Sequence, residues 1–137
     1  MDYEPVPPIV VNNPRDNGVT VFLTLEALNF LEPWYLTDEE FDAYDVEGRA
    51  VELRLDQRGD TVAFAIEVEP THASELRTVL LQALKDAPPV YPGIEELSLR
   101  DLVAVAAEQL DVVPWKHDGV LARAFRRIRK TGKESKA

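Results

Sequence analysis

A chain of 137 residues, 45% of them hydrophobic, is one domain's worth of sequence, able to bury roughly two-thirds of the surface its unfolded form exposes. It has no cysteine, which excludes disulfides, thiolate zinc sites and a cysteine nucleophile, and no apolar run near the ~20 residues that cross a bilayer. The net charge of −10 is unevenly spread: residues 1–69 hold sixteen acids against four arginines, whereas residues 70–137 hold nine acids and eleven bases.

The start, Met1-Asp2-Tyr3-Glu4-Pro5, is acidic where a secretory signal is basic and then apolar, so a cytoplasmic location is expected. Residues 1–18 contain Pro5, Pro7, Pro8 and Pro14 and read as a proline-rich arm, with Ile9-Val10-Val11 as a short edge strand at most. Residues 19–130 read as a single domain. Val19 to Leu23 has strand composition, and Thr24 can cap a helix carrying Leu25, Leu28 and Leu31 that Pro33 stops. Trp34-Tyr35-Leu36 and the capping-box pattern Thr37-Asp38-Glu39-Glu40 fit either a helical turn or the lead-in to a strand from Phe41.

Residues 41–68 carry one turn signature twice, Asp45-Val46-Glu47-Gly48 and Asp56-Gln57-Arg58-Gly59. In each, Asp can accept backbone hydrogen bonds and Gly can take positive φ. Between them Val51, Leu53 and Leu55 alternate with Glu52 and Arg54. The reading is a three-stranded antiparallel β-meander with one face for a core.

After Pro70-Thr71, the spacing of Leu76, Val79, Leu80, Ala83 and Leu84 predicts a helix with one buried stripe, packed on the sheet. Prolines 88, 89 and 92 with Gly93 mark a connector over 88–93. Ser98 caps a helix bearing Leu99, Leu102, Val103, Ala106 and Leu110. Asp118 starts a last helix with Val120, Leu121, Ala124, Phe125 and Ile128 on one face, and residues 131–137 form a basic, frayed tail. Strands cluster in the middle and helices follow, so the expected class is α+β: an antiparallel meander with helices on one face, plus a C-terminal helix pair.

Catalytic and cofactor motifs are missing. His72 and His117 are the only histidines, and His72 with Glu75 supplies two ligands on one helix face where a zinc site needs more; no metal and no cofactor are expected. No serine sits in a nucleophile elbow, and the glycines are isolated. Glu39, Glu40, Asp42 and Asp45 could converge as an acid-base pair, but the stretch lacks a calcium-loop pattern and reads better as a solvated face.

What remains is recognition. Residues 26–47 hold eight acids and no base, and Trp34 and Tyr35 lie among them. Trp34, Tyr35, Glu39, Glu40, Asp42, Asp45 and Glu47 are therefore the expected partner-binding residues, on a non-enzymatic acidic module that takes a basic protein. The analogy is with immunity proteins of bacterial toxin systems, as a class and not through any motif. The alternative is nucleic-acid binding by the C-terminal helix pair through Arg123, Arg126, Arg127, Arg129 and Lys130, read loosely as a helix-turn-helix. Against it stand the overall negative charge and the long, proline-bearing connection 111–117. A small enzyme with a carboxylate site is the third reading.

Overall fold

The computed structural model describes residues 3–15, 18–38 and 40–114. At its centre is a four-stranded sheet in the order β3 (Asp42–Tyr44), β1 (Ile9–Asn13), β2 (Gly18–Phe22), β6 (Asp111–Val113). β1 pairs antiparallel on both sides, Val11 facing Thr20 of β2 and Ala43 of β3, while β6 runs parallel to β2 with Val112 beside Val21. A separate hairpin joins β4 (Val51–Leu55) to β5 (Thr61–Ala65), with Leu53 opposite Ala63.

Alternation along β1 and β2 sends side chains to two cores. Val10, Val19, Val21, Tyr44 and Val112 enter the first, against helices α2 (Ala73–Lys85) and α3 (Leu99–Gln109), which contribute Leu76, Leu80, Leu84, Leu102, Val103 and Ala106. Ile9, Val11, Phe22, Ala43 and Val113 enter the second, against Val51 and Leu53 of the hairpin and Ala27 and Leu28 of a 3-10 helix, Glu26–Phe30. Each fully buried Leu, such as Leu28, Leu76, Leu80 and Leu102, contributes roughly 1.5–3 kcal/mol of transfer free energy. The sheet is thus the middle of three layers. Helices and strands on segregated elements make the fold α+β.

The two Asp-x-x-Gly turns form as read. Gly48 N and Gly59 N donate to the carbonyls of Asp45 and Asp56, each 3.0 Å, and the glycines hold φ of 94° and 87°. Asp45 N donates to Arg49 O and Asp56 N to Asp60 O, so both are three-residue loops ending on a left-handed glycine. Ser98 caps α3, its Oγ accepting from Asp101 N at 3.1 Å, and Thr24 Oγ1 accepts from Ala27 N at 3.1 Å at the head of the 3-10 helix.

Several expectations change. The strand beginning near Phe41 leaves the meander: β3 pairs with β1, and its backbone pairs with the hairpin's chain at the bridge between Tyr44 and Ala50, because Asp45 to Arg49 turn the chain onto the next layer. Ile9–Asn13, read as an edge strand on an arm, is an interior strand. Its unbroken apolar run Ile9-Val10-Val11 is what burial on both faces demands. Pro33 opens a helix, α1 (Pro33–Asp38), since its missing N–H costs nothing in a first turn. α1 and the 3-10 helix therefore cover the face opposite α2 and α3, and the helices do not all lie on one side. Thr37 sits inside α1, its hydroxyl donating to Trp34 O, and does not cap a following helix. After α3 comes strand β6, so the connection to any later helix is no helix-turn-helix turn. The expected last helix and tail, with Arg123, Arg126, Arg127, Arg129 and Lys130, lie outside the described residues. No described helix is long and apolar enough to cross a membrane.

Candidate functional site: an acidic groove beside the hairpin

The partner-binding residues read from the sequence do not form one surface. Trp34 is 51% exposed on α1, but Tyr35 is half-buried, stacked on Phe41 with ring centroids 5.4 Å apart, and packs into the second core. Glu40, Asp42 and Glu47 are exposed, and Glu39 lies outside the described residues. Asp42, two residues before Tyr44 on β3, lies on the same side of the sheet. Glu47 sits 4.0 Å from Arg100 of α3. These two belong to the α2–α3 side, whereas Trp34 is on the far layer.

Asp45 is the clear correction. It is fully buried, and its carboxylate accepts from Val6 N, Glu47 N, Arg49 N and Arg49 Nε at 2.9–3.1 Å, with Arg49 Nη2 at 2.8 Å. Every lone pair it needs to satisfy in a buried place is satisfied, so it has nothing left for a partner, a metal or a proton-transfer step. Its work is to hold the chain. Through Val6, and through Arg49 Nη2 donating to Glu4 O at 3.2 Å, it fixes the path of residues 4–6.

A second polar cluster joins the hairpin to α2. Glu67 accepts from Ala50 N at 2.9 Å, from the Thr71 hydroxyl, and from His72 Nδ1 at 2.8 Å, where a carboxylate can only accept and Nδ1 must donate. The Thr71 hydroxyl, followed by the Ala50 amide and His72, holds the Glu67 carboxyl down at about 2 despite partial burial. Close by, the Tyr44 hydroxyl donates to Glu75 Oε2 at 2.6 Å, and burial, followed by that carboxylate, pushes its pKa well above the usual phenol range. Neither the groove described below nor the cleft beside Gly18 and Asp111 is lined by these groups. They act as a clasp. Among the described residues no group of three or more His, Asp and Glu is placed to hold a metal ion.

A surface with room for a ligand lies elsewhere. An open groove of about 630 Å³ runs between the 3-10 helix and β5, within the roughly 300–1,000 Å³ of ligand clefts. Leu25, Val62, Phe64 and Tyr3 give it apolar walls, and Glu4, Glu26, Asp56 and Asp60 set four carboxylates around it against one base, Arg58. Arg58 Nη2 lies 3.2 Å from Asp60 and is largely in water, so it offsets part of that charge from the rim. Phe30, the residue after Asn29 of the groove wall, is 61% exposed. Sequence reading missed this site because its parts come from residues 3–4, 25–29 and 56–64. Asp56 read only as a turn former, Asp60 carried no reading, and Tyr3 and Glu4 read only as part of an arm.

No family model matches the chain, and no curated protein or solved structure matches it either.

Proposed function

We propose that the protein is a non-enzymatic binding module for a basic partner protein, in the manner of an inhibitor or immunity protein. The observation that carries this reading is the groove, four carboxylates and one arginine around apolar walls, with exposed Phe30 beside it and Trp34 further along the same layer. An acidic concavity in a chain of net charge −10 raises the encounter rate with a basic partner, and aromatic area beside it slows release. The polar clusters around Glu67 with His72 and around Asp45 with Arg49 are spent on internal hydrogen bonds, which is why a binding role is favoured over acid-base catalysis.

The test is a crosslinking capture from the source cells with a photoreactive residue at position 30, followed by binding kinetics on the captured protein. A basic partner whose association slows at least tenfold in a folded Glu26→Lys, Asp60→Lys variant, with a flatter salt dependence, supports the reading. A captured partner that is acidic, or indifferent to both charge reversals, overturns it.

A further inference from the structure

The floor of the groove is a strand edge with an unfilled position. In the hairpin, Ile66 N donates to Ala50 O and Asp56 N to Asp60 O, so the even-numbered residues of β5 turn their backbone groups toward β4, and Thr61, Ala63 and Ala65 turn theirs outward. Two of those three are occupied. Ala65 exchanges both hydrogen bonds with Tyr3, at 3.0 and 2.8 Å, and Thr61 N donates to Asn29 Oδ1 at 2.8 Å. Ala63 lies between them, in the lining of the groove, and among the described residues its outward N–H and C=O have no hydrogen-bond partner. The chain's own N-terminal segment would reach it by continuing from Tyr3 in the same register, which would put Pro5 opposite Ala63. Proline has no N–H to give, and Asp45 draws the chain away at Val6.

We infer that the groove receives a short extended segment of the partner that pairs with Ala63 as Tyr3 pairs with Ala65 and carries a lysine or arginine toward Glu26, Asp56 and Asp60. The inference rests on the reading above and names how the partner is held. Backbone pairing at Ala63 fixes the segment's direction and register, and the carboxylates select its charge. The slot is short, closed by Tyr3 and Glu4 at one end and Asn29 at the other, so it takes one strand residue with both its hydrogen bonds and not a whole strand. An edge this interrupted resists pairing with a second copy, which needs a longer free row.

The experiment uses the full chain and a capped Val-Arg-Val-Arg-Val peptide, followed by amide hydrogen exchange read residue by residue. In the free protein the Ala63 amide exchanges fast while Val62 and Phe64 are protected. Saturating peptide should slow Ala63 by roughly tenfold or more. Of two peptides N-methylated at alternate backbone nitrogens in opposite phases, the one methylated at the pairing residue should fail to do so, and so should the Val-Glu-Val-Glu-Val counterpart. Binding of the arginine peptide with Ala63 still fast, or equal protection by all the peptides, overturns the strand pairing while leaving a basic-partner module intact. No binding of the arginine peptide, together with a captured partner indifferent to groove charge, overturns both. Protection of Ala63 that grows with protein concentration without peptide shows self-pairing and overturns the inference.

Discussion

Asp45 and Asp56 make the same turn in different surroundings. Asp45 Oδ1 accepts from Glu47 N and Arg49 N at 3.0 Å, and Asp56 Oδ1 accepts from Arg58 N and Asp60 N at 2.9 Å. The first is buried with Arg49, whose side chain is 11% exposed, and the second stands in water. Asp45→Ala should cost about 3–5 kcal/mol, since it strands a nearly buried guanidinium and the Val6 amide, whereas Asp56→Ala should cost about 1 kcal/mol. Urea unfolding of the two variants checks this, and equal losses would contradict it.

The glycines of the two turns divide in the same way. A Cβ on Gly59 meets nothing within 4 Å, so Gly59→Ala bears only the backbone strain of positive φ, about 1 kcal/mol. A Cβ on Gly48 would collide with Ala73 Cα, at the start of α2, so Gly48→Ala adds overpacking of about 1–3 kcal/mol to the same strain. The difference in thermal midpoint between the two variants measures the helix contact alone.

Acid should loosen the clasp between the hairpin and α2. The Glu67 carboxyl is depressed to about 2 in the folded chain, so its stabilising contribution is full above the ordinary carboxylate range and is lost as pH falls from about 4.5 toward 2. Glu67→Gln should flatten that part of the stability-against-pH curve and lower stability at pH 7. A curve of wild-type slope between pH 4.5 and 2 in the variant would refute the assignment.

Trp34 and Tyr35 are adjacent in sequence and opposite in consequence. Tyr35→Ala breaks the stack on Phe41 and should cost about 2 kcal/mol of stability. Trp34→Ala, at an exposed position, should stay within about 0.5 kcal/mol. If Trp34 reaches the partner, its loss should instead speed dissociation by a hot-spot-sized ~2 kcal/mol. Circular dichroism melts beside the kinetics separate the two effects.

Local signals in the sequence were legible where the physics is local. The turns at Gly48 and Gly59, the stripe Leu76-Leu80-Leu84 and the Ser98 cap each depend on residues within a few positions of one another. Pairing between distant strands is not of that kind. Nothing in Asp42-Ala43-Tyr44 says that it adds to Val10-Val11-Asn12 and not to its neighbour Val51, and three residues, Asp111-Val112-Val113, are too few to show a period. The prolines around β1 pointed to an arm because Pro5 marks where the chain leaves the hairpin's edge, a role visible only once Tyr3 lies beside Ala65. The groove was illegible for the same reason.

The strand order β3-β1-β2-β6 also sets a timetable for synthesis. The β1–β2 pair is complete once Phe22 has left the ribosome and gains β3 about twenty residues later, yet the open side of β2 waits for Val113. Until then the parallel edge of β2 and the sheet face destined for Leu102 and Val103 stay uncovered, an interval in which a nascent chain is exposed to mispairing. Slow decoding between codons 60 and 110 lengthens that interval and should therefore lower the soluble yield, an effect that expression of synonymous-codon variants would measure.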